Sequence, residues 1–319
     1  MIFHISFFVL GLVILYFGAE WMVGGSSRLA LYFGIQPIVV GLTIVALGTS
    51  LPEFLVNLFA VIAREDSIAV GNIIGSNISN IALILGTVAV LAPLHIARTV
   101  LHREYLIMMG VMLMFLGVSV DGVIQRHDGL LLVTGLVAFL SYLFYTSKER
   151  PSSLVEDEWA DASQTTSSIS LPWQSARIVV GMIGLGAGAH LMVESAVAIA
   201  KIYAISEVVI GLTIVAIGTS LPELAASVVG AVKHEDGLSI GNILGSNILN
   251  VLFVVGAVSS VQPLAVEAES VRIHLPFMLA VCGMLYVLAR PSFRLGRAGG
   301  VALLLIFGGY MTYLLMPYL

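Results

Sequence analysis

Two short stretches place polar chemistry inside otherwise apolar sequence: Gly48-Thr49-Ser50-Leu51-Pro52-Glu53, and Gly71-Asn72-Ile73-Ile74-Gly75-Ser76-Asn77-Ile78-Ser79-Asn80. In the first, Pro52 lacks a backbone N–H and clashes with the preceding turn, while Gly48 can absorb the distortion. A helix is expected to break or kink there. The break lies about 12 residues into a 26-residue apolar segment, with Glu53 one turn further on, and so near mid-membrane if that segment spans a bilayer. An intramembrane carboxylate costs several kcal/mol and is a functional-site hypothesis by default. Carbonyls freed by the break are tolerated only where they are buried in protein or line a cavity. In the second stretch Ser76 and Asn80 are four apart and share a helical face. Carboxylate, hydroxyls, amide oxygens and freed carbonyls, with no thiolate or imidazole, form a ligand set for hard cations such as Ca²⁺ and Na⁺ and argue against Zn²⁺ or Cu⁺.

The same chemistry occurs twice. Residues 41–86 align with 211–256 without a gap at an offset of 170, and 23 of the 46 positions are identical. The second copy reads Gly218-Thr219-Ser220-Leu221-Pro222-Glu223 and Gly241-Asn242-Ile243-Leu244-Gly245-Ser246-Asn247-Ile248-Leu249-Asn250. Identity concentrates in polar and glycine positions, whereas the filler has drifted, as in Phe54-Leu55-Val56 against Leu224-Ala225-Ala226. The copies therefore share something more demanding than hydrophobicity. Two glutamates would balance one Ca²⁺. Three Na⁺ would leave a net +1, so an exchange of that stoichiometry moves charge unless a proton compensates.

The chain that positions these motifs has 319 residues, 59% hydrophobic and only 10% charged, with a mean hydropathy of +1.04. A soluble domain carries about 25% charged residues, so an integral membrane protein is expected. Cys282 is the single cysteine, which rules out a disulfide within the chain. The net charge of −5 and the lack of a basic stripe exclude nucleic acid as a partner. Met1 to Trp21 has no basic leader region and reads as a first membrane helix instead of a signal peptide.

Cutting at polar and Pro/Gly clusters gives ten spans, near 3–23, 37–62, 69–92, 104–121, 129–146, 173–198, 207–232, 239–261, 273–289 and 299–317. This predicts an all-α multi-pass fold. Residues 1–146 form a first five-helix repeat, 147–172 a polar linker and 173–319 a second repeat. Five crossings per unit is an odd number, so the second unit enters the bilayer from the opposite side and the repeats are inverted. Inverted repeats with interrupted helices at matching positions point to a secondary transporter with a mid-membrane site. Alternating loops put ten Lys/Arg on one face and four on the other. The positive-inside rule then makes the first face cytoplasmic, with the linker inside and both termini outside a cell (cytoplasmic) membrane.

These residues resemble the paired α-repeats of the sodium/calcium exchanger family, in the cation/calcium antiporter superfamily. That resemblance implies ten helices in two inverted halves with broken helices at a central site, and Na⁺/Ca²⁺ antiport by alternating access. By position it implies that Glu53 and Glu223 are the Ca²⁺ carboxylates, also used by Na⁺. It implies backbone carbonyls from Ala46, Thr49, Ala216 and Thr219, hydroxyls from Ser50, Ser76, Ser220 and Ser246, and closure of the site by Asn80 and Asn250. Some family members carry Asp where Asn250 stands; Asn in both copies resembles the potassium-independent branch. The linker is too short for the calcium-sensing domains of animal members. No cofactor is implied; Ca²⁺ and Na⁺ are cargo, and hard oxygen ligands alone also admit Mn²⁺, Sr²⁺ and H⁺. A Ca²⁺/H⁺ antiporter is the alternative, with a cation channel below it. No enzyme is expected, because neither motif sets a base beside Ser50 or Ser220.

Outside the motifs, glycines four apart, such as Gly71 and Gly75 or Gly241 and Gly245, commonly mean close helix packing. Glu20 and Glu194 read as interfacial anchors, or as part of an access pathway. The histidines read as structural or solvated, and Met108, Met109, Met112 and Met114 as packing or lipid-facing residues.

Overall fold

The computed structural model describes residues 2–147, 170–203 and 216–316. The linker expected over 147–172 lies almost wholly outside the described residues, as do the first nine residues of the span expected over 207–232. The first half runs α1 (Ile2–Phe33), α2 (Pro37–Val40), a π turn (Gly41–Val45), α3 (Ala46–Thr49), α4 (Leu51–Ile62) and α5 (Asp66–Ser79). A second π turn (Asn80–Leu85), α6 (Gly86–Leu91), β1 (Leu94–His95), α7 (Arg98–His102), α8 (Glu104–Ser119), β2 (Val123–Ile124) and α9 (Arg126–Ser147) complete it. The second half runs α10 (Leu171–Ile202), α11 (Ala216–Thr219), α12 (Leu221–Val232), α13 (Asp236–Leu249), a π turn (Asn250–Val255) and α14 (Gly256–Val261). It ends with β3 (Leu264–Ala265), a π turn (Ser270–His274), α15 (Leu275–Ala289), β4 (Arg294–Leu295) and α16 (Arg297–Leu315).

Eight helices among the described residues are long and apolar enough to span a membrane, and a ninth span is the bent pair Pro37–Thr49 plus Leu51–Ile62. Leu221–Val232 is a shorter apolar helix at the position matching Leu51–Ile62. The two spans that carry the glycine- and asparagine-rich motif lie at the centre: Asp66–Leu91 and Asp236–Val261 are 78% and 83% buried over their apolar windows, against 22–39% for the other six. They can be central because small residues face their neighbours.

Each motif pair is folded onto itself by a tight hairpin. After α4, Arg64 adopts a left-handed conformation (φ 63°), and after α12 its counterpart His234 does the same (φ 61°). Arg64 N–H donates to Val61 O at 3.0 Å and Glu65 N–H to Ala60 O at 2.8 Å; His234 and Glu235 repeat this with Ala231 and Gly230. This pair of bonds ends a helix by satisfying its last carbonyls. At 1.5 Å per residue, Glu53 lies about 14 Å before the turn and Ser76 about 15 Å after Asp66, so the hairpin sets the two motifs level.

The two halves are clasped reciprocally. β1 pairs with β4 and β2 with β3, all antiparallel. Asp236, at the start of α13, accepts from His95 N–H at 3.0 Å, and Asp66, at the start of α5, accepts from Ala265 N–H at 3.1 Å. These acids also sit where a helix N-terminus favours negative charge. The aspartates and their partners are each related by the 170-residue offset, so the clasp is a pseudo-twofold feature.

The long helices α1 and α10 cross along a glycine seam with the same symmetry. A Cβ on Gly18 would lie 2.7 Å from Leu185 N, and one on Gly181 2.6 Å from Met22 N. One on Gly11 would meet Gly188 O at 2.9 Å, and one on Gly188 would meet Leu15 N at 2.6 Å. Small residues of this kind let helix backbones approach closely in membranes.

Candidate cation site

The break expected at the proline is present. The helix is interrupted at Ser50 (φ −86°, ψ 5°) and bends by 45° between Thr49 and Leu51. Ser220 has the same conformation (φ −88°, ψ 4°). Prolines in the first turn of α4 and α12 are well tolerated, since an N–H there has no helical partner in any case. The carboxylates of Glu53 and Glu223 project from those first turns, and both residues are 1% exposed. Facing them, α5 and α13 supply Ser76 and Ser246 and the π turns that follow supply Asn80 and Asn250, all buried. The π turns begin at Asn80 and at Asn250 in the two halves. Such turns recur at functional sites because the extra residue unlocks the regular backbone ladder.

The structure brings both motifs of both halves together. Ser50 Oγ donates to Glu223 Oε1 at 3.1 Å, joining opposite halves. Thr49 Oγ1 donates to Asn242 Oδ1 at 3.0 Å and lies 3.4 Å from Ser246 Oγ. Ala46 O accepts from Ser50 N–H at 3.0 Å and from Thr49 Oγ1 at 3.3 Å. Ala216 and Thr219 lie on α11 at the matching positions.

The atoms that lack partners define the chemistry. Besides Ser26 Oγ, Asp66 Oδ1 and the amide nitrogen of Asn72, six such buried atoms fall on residues expected at the site: Glu53 Oε2, Glu223 Oε2, Ser76 Oγ, Ser220 Oγ, Asn80 Oδ1 and Asn250 Oδ1. Buried polar groups are nearly always satisfied, and two like charges taken out of water are costly unless compensated. All six atoms are oxygens, four of them unable to donate when the glutamates are ionised. Their common complement is a hard cation. No group of three or more His, Cys, Asp or Glu side chains converges among the described residues, so any charge among these six atoms comes from the two glutamates and the other four are neutral oxygens.

Sequence reasoning assigned no role to a second polar layer. Asn80 Nδ2–H donates to Asn247 Oδ1 at 2.9 Å and Asn250 Nδ2–H to Asn77 Oδ1 at 3.1 Å. Asn242 Nδ2–H donates to Ser227 Oγ at 2.9 Å and to Glu223 O at 3.3 Å, and Ser239 Oγ donates to Ser227 O at 2.9 Å. Asn57 Nδ2–H donates to Glu53 O at 2.7 Å. A signal was present: Asn77 and Asn247 are identical between the repeats, whereas Ser79 and Leu249 are not.

In the second half the glycines near the site are closely packed. A Cβ on Gly241 would lie 2.6 Å from Ile38 O, and one on Gly245 2.7 Å from Leu42 Cα. Gly41 packs on Leu238 and Gly241 in return. The residues that would face Gly71 and Gly75 by the same offset, 208, 211 and 212, lie outside the described residues. Expectations outside the motifs are refined in the same way. Glu20 pairs with Lys233 at 3.1 Å. Glu194 and His190 sit together at 3.8 Å on an exposed helix face. Met108 and Met112 are fully buried packing residues.

The sequence profile of the sodium/calcium exchanger protein family matches residues 3–147 and 173–316, one match for each half. The putative antiporter CaxA of Alkalimonas amylolytica is 39% identical over 97% of both chains. The sodium/calcium exchanger MaX1 of Methanosarcina acetivorans is 28% identical over 96% of this chain and 97% of its own. The sodium-calcium exchanger NCX_Mj, solved after soaking with 2.5 mM Na⁺ and 0.1 mM Ca²⁺, superposes with a TM-score of 0.81 at 32% identity, covering 96% of this chain and 97% of that one. Its form soaked with 10 mM Na⁺ and 10 mM Sr²⁺ gives 0.82 at 31% identity, with 96% of each covered. The ten-helix inverted-repeat architecture is shared with that protein.

Proposed function

The chain belongs to the sodium/calcium exchanger family, whose profile spans both of its halves, and on that premise we propose that it exchanges Na⁺ for Ca²⁺ across the membrane by alternating access. The observation that carries the reading is the convergence of six unpartnered buried oxygens, two of them from carboxylates, where the halves meet. Glu53 and Glu223 bind Ca²⁺ directly and Na⁺ in its place. Ser50, Ser76, Ser220 and Ser246 contribute hydroxyls, Asn80 and Asn250 amide oxygens, and Ala46, Thr49, Ala216 and Thr219 backbone carbonyls. Coupling follows from shared ligands. Ca²⁺ and Na⁺ compete for the same oxygens, and the site with both carboxylates bare is too costly to carry through the closed core.

The close contact of Gly41 with Gly241 and Gly245 with Leu42 supports reading this conformation as closed on the Lys233 face. The loop charges assign that face to the cytoplasm, with the 147–172 linker inside and the termini outside. The smooth α1–α10 seam suits sliding of that pair against the core. With two glutamates and amides at positions 80 and 250, exchange of three Na⁺ for one Ca²⁺ is electrogenic and needs no K⁺. Sr²⁺ competes with Ca²⁺, as a larger ion of the same charge and ligand preference.

Carboxylates can also carry protons, which keeps Ca²⁺/H⁺ exchange as the competing reading. The test is ⁴⁵Ca²⁺ uptake into proteoliposomes with the membrane potential clamped and outward gradients of Na⁺, Li⁺, K⁺ or H⁺ imposed separately. Uptake driven by Na⁺ alone is expected. Uptake driven by H⁺ with no response to Na⁺ would replace this reading with the competing one.

A further inference from the structure

The cation site ends in two amides whose orientation decides whether they attract or repel a cation. Asn80 and Asn250 each carry an oxygen that accepts and an NH₂ that donates, and a half-turn of the side chain exchanges the two. Turned the wrong way, each would aim a positively polarised NH₂ at the ion. The partner of each NH₂ is therefore as consequential as the ligand oxygen. Asn80 donates to Asn247 Oδ1 at 2.9 Å and Asn250 donates to Asn77 Oδ1 at 3.1 Å.

Asn77 and Asn247 are in turn fixed by sulfur. Both are fully buried. Asn77 Nδ2–H donates to Met112 Sδ and Met278 Sδ, each at 3.7 Å, and Asn247 Nδ2–H to Met108 Sδ at 3.7 Å. A thioether can accept but has no hydrogen to give. An amide oxygen facing it would oppose lone pair to lone pair, so the NH₂ faces sulfur and the oxygen faces inward. That oxygen takes the NH₂ of the ligand amide, which leaves Asn80 Oδ1 and Asn250 Oδ1 without a protein partner.

We propose that Asn77 and Asn247, oriented by the thioethers of Met112, Met278 and Met108, are positioning residues that hold Asn250 and Asn80 with their oxygens toward the transported cation. The inference rests on the cation-exchange reading and deepens it. The four amides and the Met108–Met278 pair are related by the 170-residue offset, while Met112, opposite Cys282 in the repeat, adds a second thioether to one arm only, and each arm crosses from one half to the other. Close packing alone would not require the donor and acceptor ends to alternate in the same order in both arms.

The test measures apparent Ca²⁺ affinity and maximal rate of Na⁺-driven uptake for Asn77→Leu, alone and together with Asn250→Asp. Leucine fills the space but offers Asn250 no acceptor, and apparent Ca²⁺ affinity is expected to fall about 10-fold. With Asn250→Asp the side chain presents an oxygen in either orientation, so the added Asn77→Leu is expected to change affinity by less than about 2-fold. Loss of maximal rate with unchanged affinity, or an equal affinity loss in both backgrounds, would overturn the relay. Should Asn77→Leu not fold, Met112→Leu with Met278→Leu keeps volume and is expected to weaken affinity about 2- to 5-fold; unchanged affinity there would overturn the relay as well. Wild-type protein without Na⁺-driven uptake would overturn the exchange reading and the relay with it, whereas wild-type uptake with unshifted variants would overturn the relay alone.

Discussion

A single methyl group on α13 tests whether the glycine contact sets the conformation. In Gly241→Ala the new Cβ would lie 2.6 Å from Ile38 O and 3.0 Å from both Gly41 Cα and Leu42 N, all backbone atoms that cannot rotate away. Overpacking of this kind costs about 1–3 kcal/mol, which moves a two-conformation equilibrium about 5- to 150-fold away from the state that contains the clash. The residues that would meet Gly71, the repeat counterpart, by the same offset, 208, 211 and 212, lie outside the described residues. If the halves exchange conformations during transport, the reciprocal state packs Gly71 as this one packs Gly241. Gly71→Ala then shifts the equilibrium in the opposite direction. Ser239 is buried two residues from Gly241, so Ser239→Cys in a Cys282→Ser background reports opening on the Lys233 face through its rate of modification by a membrane-impermeant maleimide. The rate is expected to rise in Gly241→Ala and to fall in Gly71→Ala. Changes of the same sign in both, or no change in either, would refute the reasoning.

Three further outcomes follow from the site and its surroundings. Ser50 donates to a buried carboxylate while Ser220 Oγ has no partner, so Ser50→Ala is expected to lower stability without cations by about 1.5–3 kcal/mol and Ser220→Ala by less; thermal melts in cation-free detergent buffer compare them, and an equal loss would contradict the difference. Asn250→Asp adds a third carboxylate and is expected to change the ion stoichiometry or introduce K⁺ dependence, read as K⁺-stimulated Ca²⁺ uptake; unchanged selectivity would remove the argument from charge. On the Lys233 face, the Glu20–Lys233 pair and the Ser27–Glu235 hydrogen bond tie α1 to the α12–α13 turn, and the repeat counterparts His190 with Ala63, and Val197 with Glu65, have no chemistry to replace them. The ion pair is over one-third exposed, so after solvent screening Lys233→Ala is expected to ease opening of that face by a few tenths to about 1 kcal/mol, seen as faster labelling of Ser239→Cys that high salt reproduces in the unmutated pair.

The sequence carried most of what positions the site. Pro52 and Pro222 marked both breaks because a missing N–H is a local property, and the gapless repeat at offset 170 required inverted topology because five crossings is an odd number. Glu53, Ser76 and Asn80 stood out by type and spacing. What stayed hidden depends on contacts between distant residues or on signals too small to have a period. The two-residue strands that clasp the halves leave no alternation to detect. The π turns starting at Asn80 and Asn250 differ from ordinary helix by one residue. Met112 and Met278 lie 35 and 201 positions from Asn77, so their sulfurs read from sequence as generic packing. The tie between Glu20 and Lys233 spans 213 positions, and Glu20 alone looked like an interfacial anchor.

The central claim is that Glu53 and Glu223 are the charges that hold the transported cation, and Na⁺-driven ⁴⁵Ca²⁺ uptake by Glu53→Gln and Glu223→Gln tests it most directly. Each substitution keeps size and removes one of the two negative charges that Ca²⁺ needs. Exchange is expected to be abolished in both while each variant still reconstitutes as folded protein. Retained Na⁺-driven uptake in either would contradict the account.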